Sequence, residues 1–380
     1  MTATAFDYQP RTRLVYGHDA LERIGELARD FSARRVLLVT DPGIVAAGHP
    51  ARAITLLEGA GLHVTTYDAV RENPSTVDVD RCVSVARDAK VDLLIGLGGG
   101  SSMDTAKGCN FILTNGGRMQ DYWGIGKAKE PMLPLIAVPT TAGTGSECQS
   151  FALISDEETH QKMACGDSKA AAAVAILDPL LTVSQPPRVT ACTGIDALAH
   201  ALETAVTKKR TALSGMFSRE AFRLCLAGLE RVLDDPRDVE ARGMMLLGAA
   251  LAGTAIENSM LGAAHAAANP LTARFGVAHG QAVGVMLPGV IAYNAVDSTA
   301  RAIYLEHAAV AGIHSIEELI ERVGALLAKA KMTESITRDN FKNGVLPELA
   351  AIAAQQWTAS FNPRTIAAPE FERLYEEALG

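Results

Sequence analysis

The sequence contains no Cys-x-x-Cys pair. Its six cysteines (Cys82, Cys109, Cys148, Cys165, Cys192 and Cys225) are scattered at spacings of 17 to 39 residues. That excludes a zinc knuckle and a secreted disulfide framework, and it favours a reducing, cytoplasmic setting in which most of them act as small buried hydrophobes. Basic runs are equally scarce. Lys and Arg total 35 against 43 Asp and Glu, a formal charge of −8, so the electrostatic footprint of a nucleic-acid-binding protein is missing. The opening MTATAFDYQPRTRL lacks the basic patch and apolar stretch of a secretory signal, and export is not expected. Phe275 to Val296 is free of Asp, Glu, Lys and Arg for 22 residues, but it includes His279, Gln281, Pro288 and four glycines. Those groups are expensive in lipid, so the reading is a buried helix pair and no membrane span. Aromatics make up only 5% beside 48% hydrophobic residues. The abundance of Ala and Gly in their place is that of close-packed helices and tight strand-to-helix turns.

At 380 residues the chain is long enough for two domains, and two rhythms divide it. The first half alternates short β-branched runs, RVLLVTD (35–41), LHVTTYD (62–68), VDLLIGLGGG (91–100), PLIAVPTT (134–141) and AAVAILDP (172–179), with helical stretches. Continuous apolar strands joined by helical crossovers predict an α/β, doubly wound, parallel sheet. SFALISDEETHQKMACGD, between the fourth and fifth runs, reads as a hairpin. After Pro186-Pro187 the alternation gives way to the 3.6-residue apolar spacing of helices. The expected organisation is a nucleotide-binding α/β domain over 1–185 and a helical domain over 186–380, with a catalytic cleft between them.

Two polar turns carry the chemistry of the first half. GLGGGSSMDTAK (96–107) follows an apolar strand and opens a helix, with Ser101 or Ser102 as the expected N-cap and Asp104 in the first turn. Such glycines let backbone N–H groups and the helix dipole meet a pyrophosphate. The alternative is a tight turn without a ligand. VPTTAGTGSE (138–147) ends the next strand with Thr140, Thr141, Thr144 and Ser146, hydroxyls suited to ribose or phosphate oxygens. Asp41 closes the first strand ahead of Pro42-Gly43; it is either a helix N-cap or the carboxylate that accepts from the adenosine ribose and repels a 2′-phosphate, which favours NAD over NADP.

In the second half, Asp196 and His200 in TGIDALAHALE stand four apart on one helical face, where a metal ion can bridge them. His265 and His279 are 14 apart, roughly 21 Å along an unbroken helix. They can share an ion only because Pro270 and Gly276 are expected to break that helix. One carboxylate and three imidazoles suit Fe²⁺ or Zn²⁺ and are too nitrogen-rich for Mg²⁺ or Ca²⁺. A satisfied core histidine is the commoner fate of any single one, and spacing alone leaves both readings open. Glu147 and Glu203 are either acids that orient imidazoles or solvated. His18, His49, His63, His160, His307 and His314 belong to no ligand-like group. Phe151, Leu261 and the Ala-rich stretch 263–268 read either as a compact apolar pocket or as core.

From Tyr16-Gly17 to about Asn294, and more weakly over the last 85 residues, the sequence resembles the iron-containing (group III) alcohol dehydrogenases. GGGSSMDTAK, PTTAGTGSE, GIDALAHALE and the His265-to-His279 spacing ending in AHG are similar to that family's two nucleotide turns and two metal pairs. The resemblance implies a dehydroquinate-synthase-like architecture, a Rossmann-like α/β domain followed by an all-α domain, commonly a homodimer. It implies NAD contacts at Asp41, Asn73, Gly99, Gly100, Ser101, Thr140, Thr141, Leu153 and Lys162, and metal ligands at Asp196, His200, His265 and His279. The implied reaction is reversible hydride transfer between a small alcohol and NAD, with a divalent ion polarising the alcohol oxygen and no side-chain nucleophile. Two positions depart from the pattern: Ser102 replaces a common proline, and Asn269 a histidine in several members, so no proton relay is assigned there. A dehydroquinate-synthase-like lyase is disfavoured because its phosphorylated sugar acid needs several Lys and Arg, and the two histidine-bearing stretches TGIDALAHALE and GAAHAAANPLTARFGVAHG hold only Arg274. A nucleotide- and metal-binding protein without turnover is the third reading.

Overall fold

The computed structural model describes residues 5–159, 161–332 and 344–379; His160 lies outside them. The chain divides into two compact units. The first comprises Tyr8–Thr141 and Gly145–Gln185. Its strands are β1 (Arg13–Tyr16), β2 (Arg35–Val39), β3 (His63–Tyr67), β4 (Leu93–Gly98), β5 (Gly124–Ile125), β6 (Leu135–Pro139), β7 (Phe151–Ser155), β8 (Lys162–Gly166) and β9 (Val174–Leu177). Six of them form a parallel sheet in the order β1-β9-β6-β4-β2-β3. All five apolar runs of the sequence lie in it. The predicted hairpin is antiparallel β7-β8, extended by β5 into a small second sheet.

The sheet is covered on both sides, which explains why its central strands read as unbroken apolar runs. Helices α1 (Ile24–Arg29), α2 (Pro42–Ala46), α3 (His49–Gly59), α4 (Thr76–Ala89) and α5 (Gly100–Asn115) supply the crossovers. Successive strand residues alternate between two cores: Val36, Leu38, Leu93 and Ile95 pack with Leu27, Ala53 and Leu57, whereas Leu37, Val39 and Leu94 pack with Val83, Met103 and Phe111. Strand β1 escapes the sequence reading because it is an edge of four residues with only Val15 buried.

The second unit comprises 186–380 with Ala142–Thr144 and residues 5–7. Among its described residues there is no strand. Its helices are α6 (Pro187–Val206), α7 (Ala212–Asp234), α8 (Val239–Ser259), α9 (Ala263–Phe275), α10 (His279–Asn294), α11 (Ser298–Ala309), α12 (Ile316–Lys329), α13 (Val345–Gln355) and α14 (Ala368–Leu379). Helix α8 is long and apolar enough to cross a membrane by length and composition, but it packs against α6 and α7 and is mostly buried, as a core helix is. Two expectations need correction. Phe275 to Val296 is not a helix pair: it holds the end of α9, a turn and the single helix α10, with Pro288 inside it. Pro270 does not break α9 either; it sits within that helix, which ends at Gly276 in the left-handed region (φ 64°). One missing backbone bond at Pro270 is tolerated in a helix buried on its neighbours.

Candidate functional site

In the first unit, the carboxyl ends of β2, β4 and β6 lie side by side, where open α/β sheets bind ligands. Thr140 N–H donates to the Gly98 carbonyl at 2.9 Å, so the two polar turns start from adjacent strands. Asp41 is the N-cap of α2: its Oδ1 accepts from Gly43 N at 2.9 Å and Ile44 N at 3.0 Å. The other oxygen, Oδ2, stands 3.5 Å from Ser102 Oγ. The N-cap of α5 is Gly99, not Ser101 or Ser102. Ser101 Oγ instead accepts from Asn73 N at 3.3 Å, and Lys162 Nζ reaches Asn73 Oδ1 at 3.4 Å. Asn73, Ser101 and Lys162 therefore form one cluster. Thr140 is fully buried, and its hydroxyl has no hydrogen-bond partner among the described residues. Leu153 is exposed on β7.

Beneath these turns lies a tie that the sequence reading missed. Lys107 is fully buried, and its Nζ donates to Ser146 O (2.7 Å), Ser146 Oγ (2.8 Å) and Phe151 O (3.0 Å). Ser146 Oγ in turn donates to Asp104 Oδ1 at 2.8 Å. Asp104 is thus not in the first turn of α5, as expected, but is part of a buried network joining α5 to the second turn. Burial raises its carboxyl, opposed by the Lys107 charge and the Ser146 bond. Glu147 is buried rather than solvated, and burial pushes it up to about 7 against its own N–H and Lys107. The available signal was an Asp and a Lys three apart within an otherwise uncharged helix.

In the second unit, α6 carries Asp196 and His200 one turn apart, α9 carries His265 in its first turn and α10 opens on His279. Gly280 makes that meeting possible, because a Cβ there would lie 2.0 Å from the Cys192 carbonyl of α6 and 3.2 Å from Asp196 Cβ. Asp196 Oδ1 is 3.4 Å from His265 Nε2, 3.6 Å from His200 Nε2 and 4.0 Å from His279 Nε2. Asp196, His265 and His279 present ligand atoms all within 4.8 Å of one another. His200 stands just outside that trio, its ring stacked on His265 with centroids 4.7 Å apart. Among the described residues, Asp196 Oδ1 and His265 Nε2 are buried without a hydrogen-bond partner, which is costly for a polar pair unless a cation satisfies both. Behind the rings, Glu203 Oε2 bonds His265 Nδ1, and the Gly143 carbonyl faces His200 Nδ1 at 3.2 Å. Glu203 is the orienting acid foreseen as one of two options.

Electrostatics agree with a cation site. Burial alone would raise the Asp196 carboxyl, but His200, His265 and His279 outweigh it and hold it well below the usual range. Burial pushes His200 down. It acts on His265 in the same direction, yet the Glu203 and Asp196 carboxylates hold that imidazole up at about 9. Three of the four side chains are buried, while His279 is 30% exposed, so solvent reaches the group beside His279.

Asn269 lies inside α9, and its Nδ2 donates to Gln356 Oε1 at 3.0 Å. The alanines of 263–268 are fully buried core. His18, His63 and His314 are exposed, His49 is part-buried against Ser184 Oγ (2.8 Å), and His307 is buried against the Ile303 carbonyl (3.0 Å).

Comparison with known proteins covers nearly the whole chain. Residues 10–179 match the family model described as iron-containing alcohol dehydrogenase, and residues 190–379 match that of the Fe-containing alcohol dehydrogenase family, C-terminal. Alcohol dehydrogenase 4 of Schizosaccharomyces pombe is 32% identical over 381 aligned residues, spanning 100% of this chain and 90% of its own. The NAD-dependent methanol dehydrogenase of Bacillus methanolicus is 32% identical over 96% of this chain and 97% of its own. Among solved structures, a 1,3-propanediol oxidoreductase superposes with a TM-score of 0.93 at 30% identity, covering 99% of this chain and 100% of that one.

Proposed function

The chain belongs to the iron-containing alcohol dehydrogenase family, and from that premise we propose that it moves hydride reversibly between a small primary or secondary alcohol and NAD. The observation that carries the reading is a pair of buried atoms with no hydrogen-bond partner among the described residues, Asp196 Oδ1 and His265 Nε2, facing each other with His200 and His279 alongside. One carboxylate and three imidazoles fit Fe²⁺ or Zn²⁺. A divalent ion bound by these four residues supplies Lewis-acid polarisation of an alcohol or carbonyl oxygen, and NAD supplies the hydride acceptor. The residues do the rest. Asp196 brings the negative charge, and Glu203 and Gly143 fix the ring orientations from behind. His279, the half-open member, marks the side where a substrate oxygen enters.

For the nucleotide we assign Asp41, Asn73, Gly99, Gly100, Ser101, Thr140, Thr141, Leu153 and Lys162; Asp41, Gly99, Gly100, Ser101, Thr140 and Thr141 follow the strand ends of the parallel sheet, and Leu153 and Lys162 lie on the β7-β8 hairpin. Capping occupies one Asp41 oxygen and leaves Oδ2 directed toward Ser102, available to ribose hydroxyls and repulsive to a 2′-phosphate. NAD is therefore the preferred cofactor, as in the name of the Bacillus methanolicus relative.

The test is to load the purified protein with Fe²⁺ or Zn²⁺, supply NAD and a panel of short alcohols and diols, and follow absorbance at the NADH band. Asp196→Ala is expected to lose metal and turnover together while still binding NADH. Full turnover in protein shown to be metal-free, or none with any alcohol of the panel in loaded protein, overturns the proposal.

A further inference from the structure

The far side of the His265 ring from Asp196 holds the most informative contact. Glu203 is buried on α6, one turn beyond His200 and nearly two beyond Asp196. Its Oε2 bonds His265 Nδ1, and its Oε1 accepts from Ala264 N at 2.7 Å. The carboxylate has little freedom to turn. A Cβ on Gly262 would stand 3.0 Å from Oε1, so the backbone entering α9 is already pressed against it. An ionised carboxylate only accepts hydrogen bonds. Nδ1 must then keep its proton, and Nε2, 3.4 Å from Asp196 Oδ1, is the nitrogen left to exchange a proton for a metal ion.

Resting on the metal-centre reading above, we propose that Glu203 is a positioning residue: it selects the tautomer of His265 that can ligate a metal. The competing explanation is that Glu203 merely caps α9 by satisfying the Ala264 N–H. Both explanations predict that loss of the residue does harm. They disagree about which loss is worse.

In E203Q the amide oxygen stays on Ala264, since the opposite orientation would set two donors face to face. The NH₂ group then points at Nδ1, forcing it to accept and moving the ring proton to Nε2, the metal-facing nitrogen. In E203A the cap is gone, but nothing donates to Nδ1. The tautomer role therefore ranks Zn²⁺ affinity as wild type, then E203A, then E203Q. The cap role ranks the melting temperature of metal-free protein as wild type, then E203Q, then E203A.

The experiment uses the metal-stripped full chain titrated with Zn²⁺ against a chromophoric chelator, with melting curves on the same samples. Loss of an orienting partner weakens metal binding about 10- to 100-fold. We expect E203Q near the upper end of that range, E203A near the lower end, and the reverse order in melting temperature. E203Q binding Zn²⁺ within about threefold of wild type, or more tightly than E203A, overturns the proposal. If E203Q fails to fold, the isosteric pair E203D and E203N answers the same question, with E203D expected to bind more tightly; equal affinities overturn it. Asp196→Ala run alongside separates the two levels, because wild-type Zn²⁺ affinity in that variant overturns the metal centre itself rather than the role of Glu203.

Discussion

Gly280 is the position where one methyl group should cost the protein its metal. A Cβ there would lie 2.0 Å from the Cys192 carbonyl oxygen, where ordinary contact begins near 3.4 Å and real side chains essentially never come under 3.0 Å. The obstacle is helix backbone, so no side chain can swing aside. Gly280→Ala must push the start of α10 away from α6 by roughly 1.0–1.4 Å, and His279 is the residue next to it while Asp196 is on the helix being left. Metal–ligand distances tolerate about 0.2 Å, several times less than the required shift. Overpacking costs about 1–3 kcal/mol, or roughly 2–12 °C in melting temperature for a unit of this size. The expected result is a folded protein with at least tenfold weaker metal binding, read by metal content after dialysis and by chelator competition. Gly324 on α12 is the control: a Cβ there meets nothing within 4 Å, so Gly324→Ala should keep full metal and gain up to about 1 kcal/mol. A Gly280→Ala protein holding metal as tightly as the Gly324→Ala protein would refute the argument.

Three further outcomes are expected. Lys107→Met leaves the Ser146 and Phe151 carbonyls and the Asp104 carboxylate without their cation, a loss of about 3–5 kcal/mol in urea unfolding. Adding Asp104→Asn should recover part of it, and a loss under about 1 kcal/mol contradicts the tie. Burial holds the His307 imidazole down to about 4, so the unfolded chain binds the extra proton first. Stability should fall as pH drops below about 6.5, by up to about 3 kcal/mol once pH is below 4; denaturation across that window should show the slope flattened in His307→Gln. Asp41→Gly is expected to bring NADP use close to NAD use in kcat/KM, while glycine as N-cap costs only a few tenths of a kcal/mol. Equal use of both nucleotides by the parent protein counts against Asp41.

What was legible in the sequence was local. Strands such as LLIGLG announce themselves because burial on both faces leaves no polar position, and Asp196 with His200 does so because four residues bring side chains onto one helical face. What was not legible depends on partners far along the chain. Pro270 is tolerated in a helix that its flanking sequence cannot vouch for. Asn269 is bonded to Gln356, 87 residues away, and Glu203 reaches Ala264 and His265 across about 60. The Asn294–Asn362 amide pair, buried with reciprocal bonds of 3.0 and 2.8 Å, had no local pattern at all. Periodicity reports which face is buried, not what a buried polar group finds there.

The six buried thiols also make the protein a record of its own opening. Cys82, Cys109, Cys148 and Cys165 lie in the α/β unit, and Cys192 and Cys225 in the helical one. None can be alkylated until the segment holding it comes apart, so the labelling rate at each site, followed by mass spectrometry in native buffer, reads a local opening free energy. Cys192 shares a helix with Asp196 and His200. Its protection should rise when Zn²⁺ is added, while that of Cys82, on α4 of the other unit, serves as the clock against which the change is measured.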